Sequence, residues 1–159
     1  MMQHHLLPVK NPSIGTVTPE MQSAPDAKVR ILVADDDPAT SELLRLMSAR
    51  YGFEVVSVTD GREAFRLLKR DSAFAVAIFN MTMPNLQGVD IVRYMKTEKR
   101  LKRIPVIIVS GDQGIRTVSD SFAAGAMAFL AKPFGVDQLQ RTLRLALGAQ
   151  MAEALPSAA

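Results

Sequence analysis

The sequence has no cysteine among its 159 residues. Disulfide bonds, thiolate metal sites and a cysteine nucleophile are therefore excluded. No apolar run approaches the roughly 18 residues that a membrane-spanning helix needs, and the first residues lack the basic and apolar segments of a secretory signal. We expect a cytoplasmic protein with no membrane partner.

Charge of either sign is moderate, with 19 Lys and Arg against 16 Asp and Glu, a net charge of +3. Five of the basic residues crowd into "KTEKRLKR" at 96–103. Such a run can contact nucleic acid or an acidic partner, but cations are also favoured at a solvated helix C-terminus. Because the run has no interleaved aromatic residues and no DNA-binding motif, we favour the second interpretation and expect no nucleic-acid partner.

Residues 1–28 hold four of the nine prolines and little periodic apolar pattern, which predicts a disordered or loosely docked tail. Residues 29–149 form one domain in which apolar runs alternate with amphipathic stretches, and 150–159 form a short C-terminal tail. The predicted elements, numbered in chain order, are β1 29–34, α1 38–50, β2 53–58, α2 61–70, β3 75–79, α3 88–97, β4 104–110, α4 114–126, β5 128–131 and α5 136–148.

Strict alternation of strands and helices predicts an α/β fold, a doubly wound parallel sheet with helices on both faces. The runs "ILV", "AIF" and "VIIV" are continuously apolar, as expected for strands buried on both faces. Right-handed crossovers place the C-terminal ends of all strands at one edge, where ligands bind in such sheets. The polar residues that follow the strands are therefore the candidates for function.

Polar groups follow four of the five strands: the acidic run 35–37, then Asn80, Ser110 and Lys132. Two unit charges about 4 Å apart repel by about 4 kcal/mol at an effective dielectric constant near 20, so adjacent carboxylates need a cation. Asp37 precedes Pro38 and can cap α1. The pair that precedes Asp37 then predicts a cation site, to which Lys132 contributes one positive charge.

The segments "ILVADDDP", "NMTMPNLQG", "IPVIIVSG" and "FLAKPF" occur in this order at the ends of the predicted strands. With them, residues 29–148 resemble a two-component response-regulator receiver domain. The resemblance implies a flavodoxin-like (βα)5 fold with a five-stranded sheet of order 2-1-3-4-5. It implies Mg²⁺ bound by Asp35, Asp36 and the backbone carbonyl of Thr82, a switch hydroxyl at Ser110, an aromatic switch at Phe129, and a phosphate-pairing Lys132 with a cis peptide bond to Pro133.

The sequence departs from this family at the central position. Four residues before Pro84 the family has the aspartate that accepts phosphate from a histidine kinase, and this chain has Asn80. An amide is a poor nucleophile and forms no stable acyl phosphate, although its oxygen can still bind a metal ion weakly. We therefore expect a folded domain with weakened or absent Mg²⁺ binding and no phosphorylation at the usual site. Gln87 is a lesser departure, since the family more often has Asp or Ser there.

Our leading hypothesis is a stand-alone signalling module, not an enzyme, that acts through protein contacts. The partners implied by the resemblance are a histidine kinase, a phosphotransfer protein or another signalling protein, with a possible homodimer through α4, β5 and α5. One alternative is an ordinary phosphoaccepting regulator in which aspartate was changed to Asn80. In another, Thr82 or one of the aspartates at 35–37 accepts the phosphate.

Two further hypotheses come from other protein classes. A haloacid-dehalogenase-like phosphatase needs the pattern Asp-x-Asp-x-Thr/Val, and Asp35 and Asp37 fit it, but Ala39 stands at the fifth position. A nucleotide-binding protein would need a glycine-rich phosphate loop, which the sequence lacks, and the acidic turn after β1 would repel a pyrophosphate. Both are remote alternatives.

Overall fold

The computed structural model describes residues 28–148. The predicted tails therefore lie outside the described residues, except for Lys28. The elements are β1 Val29–Ala34, α1 Pro38–Tyr51, β2 Phe53–Val58, α2 Gly61–Arg70, β3 Val76–Asn80, α3 Gly88–Thr97, β4 Val106–Ser110, α4 Ile115–Ala124, β5 Ala128–Ala131 and α5 Val136–Leu147.

The five strands form one parallel sheet in the order β2-β1-β3-β4-β5. The predicted class, topology and strand order are confirmed. Each face of the sheet has its own apolar core, with α2, α3 and α4 on one face and α1 and α5 on the other. All residues of β4, and all of β3 except Asn80, are buried, which accounts for their continuous apolar sequence.

The ends of several elements differ from the prediction by one or two residues. The strand predicted at 104–110 begins at Val106, after Pro105, which has no N–H to donate to a sheet. The helix predicted at 114–126 ends at Ala124 because Gly125 adopts a left-handed conformation with φ of 117°. At α1 the prediction is confirmed in detail, since the Asp37 side chain accepts a hydrogen bond from the Ala39 N–H.

Arg30 in β1 ties the N-terminal edge of the sheet to the loop after α2. Its guanidinium donates two hydrogen bonds of 3.0 Å to the Asp71 carboxylate and lies 4.5 Å from the centroid of the Phe74 ring. The hydrogen bonds from Arg30 are the largest cause of a lowered pKa at Asp71. This pair therefore contributes a pH-dependent part of the stability.

We expect Asp71→Asn to lower the free energy of unfolding by roughly 1 kcal/mol at pH 7, because both groups are partly exposed. The folded-state pKa of Asp71 lies below its usual value of 3.8. The carboxylate thus contributes stability that is complete above that value and is lost as the pH falls through the folded pKa. Asn keeps an oxygen for the Ala73 N–H, which Asp71 also accepts. Urea titrations should show the difference at pH 7 and a progressive loss of it as the pH falls through the lowered pKa of Asp71, and a pH-independent difference would contradict the assignment.

Candidate functional site

The register of the sheet brings the predicted polar residues to one edge. Asn80 is the last residue of β3 and pairs with Val109, so Ser110 lies one residue beyond it on β4. Ser110 pairs with Ala131, the residue before Lys132. On the other side, Ala34 pairs with Phe79, so the acidic run begins beside the end of β3. The acidic run, Asn80, Ser110 and Lys132 therefore lie at the same edge of the sheet, as the sequence predicted.

Asp35 is the buried member of the acidic run, only 3% exposed. Its Oδ2 atom accepts a hydrogen bond of 2.9 Å from the Thr40 hydroxyl and lies 2.8 Å from Lys132 Nζ, while Oδ1 accepts from the Asp37 N–H. Lys132 Nζ also lies 3.8 Å from Asp37 Oδ2. Both oxygens of this buried carboxylate have partners, as a buried charge requires. Asp35 therefore anchors Lys132 across the site.

Asn80 contacts two of the other predicted ligands, Asp36 and Thr82, through its amide nitrogen. The Nδ2 atom donates to Asp36 Oδ1 at 3.1 Å and to the Thr82 carbonyl oxygen at 2.8 Å. A carboxylate and a carbonyl have no hydrogen to offer, so an amide between them must present its NH₂ group. The family resemblance assigns the oxygens of Asp36 and Thr82 to a metal ion. Here the neutral amide of Asn80 bridges them by hydrogen bonds.

These oxygens fit a divalent ion in kind, since Mg²⁺ prefers hard oxygen ligands. Asp36 is exposed and supplies a carboxylate whose Oδ1 atom accepts the Asn80 amide, and Thr82 supplies its carbonyl. Asp35 has both of its oxygens in contact with other groups of the chain. Within residues 28–148, no three His, Cys, Asp or Glu side chains are placed together to hold a metal ion. Asp36 and the Thr82 carbonyl are therefore the two groups at this edge that could hold such an ion.

The loop after β3 is held close to Asn80. The Gly88 N–H donates to the Met81 carbonyl at 3.1 Å, and a Cβ atom at Gly88 would lie 2.3 Å from the Asn80 carbonyl oxygen. Only glycine permits so close an approach. Asn85 in the same loop has φ of 67° and donates a hydrogen bond to the Asp60 side chain, which also caps α2. These contacts hold both ends of the loop that contains Thr82.

Ser110 is buried, and its hydroxyl accepts a hydrogen bond of 3.0 Å from the Asp112 N–H. Phe129 on β5 is partly buried against the core beneath α2, α3 and α4. The Lys132–Pro133 peptide bond is cis, as the resemblance implies. Ser110 thus lies at the end of β4 and Phe129 lies within β5. A coupled movement of the two side chains on switching stays a prediction.

Sequence patterns missed two groups near the site. Thr40 is 1% exposed and binds Asp35, although its place in α1 gave only a helix-face signal. Asp112 accepts hydrogen bonds from the Gly114 N–H and, at 2.6 Å, from the Thr117 hydroxyl. The Thr117 hydroxyl is the largest cause of the lowered pKa of Asp112. An Asp just before a helix is a capping signal, and it could have identified this residue.

This chain is similar in sequence to known signalling proteins. The chain is 29% identical over 121 residues to the chemotaxis protein CheY1 of Helicobacter pylori, covering 76% of this chain and 98% of that protein. It is 33% identical over 119 residues to the response regulator MprA of Mycolicibacterium vanbaalenii, covering 75% of this chain and 50% of that relative.

A solved structure and a family model agree with them. The crystal structure of the receiver domain of the sensor histidine kinase PA1611 of Pseudomonas aeruginosa, with a magnesium ion coordinated in its active-site cleft, matches with a TM-score of 0.67 and 29% identity over 77% of this chain and all of that one. The family model of the response regulator receiver domain matches residues 31–144. The chain therefore belongs to the response regulator receiver domain family of two-component signalling proteins.

Proposed function

We propose that this chain is a receiver domain that signals through protein contacts without phosphorylation at position 80. Receiver domains are signalling modules that interact with histidine kinases and phosphotransfer proteins. In this chain the group that would attack phosphorus is an amide, which has no charge and is a poor nucleophile. The observation that carries the proposal is the pair of hydrogen bonds from Asn80 Nδ2 to Asp36 and the Thr82 carbonyl.

These hydrogen bonds also support weakened Mg²⁺ binding. Bound Mg²⁺ would supply positive charge that neutralises a phosphoryl group, and Asp36 and Thr82 would hold it. To bind there, the ion must displace the Asn80 amide and lacks the carboxylate that an aspartate would add. Lys132 and the buried Ser110 hydroxyl would face a phosphoryl group at this edge, but Asn80 cannot receive one.

The output of such a domain depends on the surface formed by α4, β5 and α5. Exposed apolar side chains stand at the starts of both helices, with Ile115 91% and Val136 42% exposed. We propose that a partner protein, or a second copy of this chain, covers these side chains. Without an acyl phosphate, the populations of the two receiver states are set by sequence or by that partner.

A second candidate function is that of an ordinary phosphoaccepting regulator that carries Asn80 in place of aspartate. Lys132, Ser110 and Asp36 all stand at the site edge, which supports this candidate. The amide NMR spectrum of α4, β5 and α5 separates the two. If the spectrum of the Asn80 protein resembles that of phosphorylated Asn80→Asp, phosphorylation-independent signalling is favoured. If it resembles that of the unphosphorylated variant, the second candidate is favoured.

Phosphorylation itself is tested with acetyl phosphate and Mg²⁺. We expect no acyl-phosphate adduct on the wild-type protein in intact-mass spectra, and one phosphoryl group on Asn80→Asp, because only the carboxylate can form the acyl phosphate. Beryllofluoride should perturb the spectrum of the variant alone. Equal labelling of both proteins would place the acceptor elsewhere, at Thr82 or within 35–37, and would refute the proposal.

A further inference from the structure

The edge of the sheet opposite the candidate site carries a dense group of basic side chains. At this edge α2 and α3 end and β4 begins. Segments 66–72 and 96–103 contribute eight Lys and Arg residues against two carboxylates, Asp71 and Glu98. Of these two, Asp71 is held by Arg30. We call the Lys and Arg side chains of these two segments the basic edge.

Hydrogen bonds join the two segments into one surface. The Arg100 guanidinium donates to the Lys69 carbonyl at 3.1 Å, and the Arg103 guanidinium donates to the Ser72 carbonyl at 2.9 Å. The sequence had suggested that the run 96–103 only faces solvent at a helix end. The structure instead places it against the basic end of α2, so that cations distant in sequence lie together.

Local structure accounts for some of these cations but not for all of them. Arg100 binds the Lys69 carbonyl in the last turn of α2, a favourable place for a cation. Arg103 binds the Ser72 carbonyl just beyond that helix, and Lys96 binds the Lys102 and Ile104 carbonyls in the loop before β4. Arg66 and Lys102 are exposed, as is Lys99, and none of the three has an ion pair or side-chain hydrogen bond within residues 28–148. Crowded like charges without partners favour an external polyanion.

Apolar side chains border the basic edge on the side of α4. A Cβ atom at Gly125 would lie 2.7 Å from Lys96 Cγ, so the aliphatic stem of this lysine packs over the end of α4. Phe122 and Met127 lie three residues before and two residues after Gly125 in the chain, and each is 48% exposed. Met127 donates its N–H to the Val106 carbonyl, at the start of β4. Basic and apolar side chains therefore share the same edge.

We propose that this edge docks the protein reversibly on bilayers that contain anionic phospholipid. Cations attract the headgroups, and bulky apolar side chains at their border can enter the interface. Binding this way turns the opposite edge, with Asp36 and Asn80, away from the membrane. The proposal revises the sequence-based expectation that no membrane partner exists, and is compatible with the absence of any membrane-spanning helix in the described residues.

Nucleic acid is the other polyanion to consider, and the aromatic residues argue against it. The rings of Phe65 and Tyr94 pack on each other at 4.6 Å, and Lys69 Nζ lies 4.7 Å from the Phe65 ring centroid. Neither ring is thus free to stack on a base, which is how single strands are commonly held. The apolar border formed by Phe122 and Met127 has a use at a bilayer and none at a phosphodiester backbone.

The test is co-sedimentation of the full chain with phosphatidylcholine vesicles, with or without phosphatidylglycerol. We expect binding only to the anionic vesicles, and loss of it at high salt. Because each cation near such a surface contributes about fivefold to partitioning, Lys99→Glu/Lys102→Glu should weaken binding at least about 25-fold. The charge-matched control, Arg45→Glu/Arg116→Glu, alters exposed residues elsewhere and should weaken it far less.

A third variant separates lipid insertion from charge alone. Phe122→Ser should weaken vesicle binding about tenfold while leaving the salt dependence unchanged. Equal binding to neutral and anionic vesicles, or equal loss in both charge-reversal variants, would overturn the proposal. So would binding to a DNA duplex in preference to anionic vesicles.

Discussion

Without Mg²⁺, the Asn80→Asp variant will unfold at a lower urea concentration than the wild-type protein, and Mg²⁺ will restore most of the loss. The substitution removes the NH₂ group that now donates to Asp36 Oδ1 and the Thr82 carbonyl. It also sets a second carboxylate against Asp36. Repulsion of about 4 kcal/mol at close range, reduced by partial exposure, together with two lost hydrogen bonds, gives an expected loss of roughly 2–4 kcal/mol.

Mg²⁺ should act on the variant alone. At a hundredfold excess over its dissociation constant, an ion that binds only the folded state returns about 2.7 kcal/mol. For the wild-type protein we expect Mg²⁺ to change the free energy of unfolding by under about 0.5 kcal/mol. The ion must displace the Asn80 amide there, and it finds one carboxylate ligand fewer than in Asn80→Asp. Urea titrations of both proteins in EDTA and in Mg²⁺ measure these four free energies.

Asn85→Asp is the matched control for charge. Asn85 likewise donates a hydrogen bond from its NH₂ group to a carboxylate, that of Asp60, which caps the start of α2. Its positive φ suits Asp as well as Asn. This variant should also lose stability. Mg²⁺ should not restore it as it does for Asn80→Asp, because the pair at positions 60 and 85 lacks the backbone carbonyl that Thr82 supplies beside Asp36. Equal recovery of both variants would show a general screening of charge and would count against a site at position 80.

The fold was largely predictable from sequence, because each of its signals is local or follows from a general rule. Apolar runs in "ILV", "AIF" and "VIIV" identify buried parallel strands, and the alternation with helices leaves few topologies. Asp37 before Pro38 marked the start of α1 correctly. The errors fell at element ends such as 104–106, where a proline and pairing with a neighbouring strand decide the first residue.

The site was predictable in its membership but not in its contacts. Sequence grouped Asp35 with Asp36 as equivalent ligands, whereas the structure buries Asp35 against Thr40 and Lys132 and leaves Asp36 exposed. Which of two adjacent side chains turns inward depends on the path of the turn after β1, and a pattern of residue types does not give it. The orientation of the Asn80 amide is likewise set by its two acceptors, Asp36 Oδ1 and the Thr82 carbonyl, and these are brought together only by folding.

The basic run at 96–103 shows the same limit. Its position at the end of α3 was evident from sequence, and so was the dipole argument for cations there. Its contact with the carbonyl groups of Lys69 and Ser72 joins segments about 30 residues apart, and no local pattern predicts it. A surface made by two helix ends has to be found in the folded chain.

Lys132→Met will lower the free energy of unfolding by roughly 3–5 kcal/mol, the usual cost of removing one partner of a buried ion pair. Lys132 Nζ lies 2.8 Å from Asp35 Oδ2, and the side chain of Asp35 is 1% exposed. Without the ammonium group, the Thr40 hydroxyl and the Asp37 N–H are the remaining donors to a carboxylate that water cannot reach. The matched control is Lys99→Met, which removes an exposed and unpaired lysine and should change stability by under about 0.5 kcal/mol.

A loss of this size can prevent folding altogether, so a double variant provides the second measurement. Asp35→Asn/Lys132→Met removes both charges, and the Asn oxygen still accepts from Thr40 or from the Asp37 N–H. Because no uncompensated buried charge is left, the double variant should be at least about 2 kcal/mol more stable than Lys132→Met alone. If the two substitutions instead destabilise additively in urea titrations, the pair does not hold this edge together. The position of Lys132 beside the site would then need another cause.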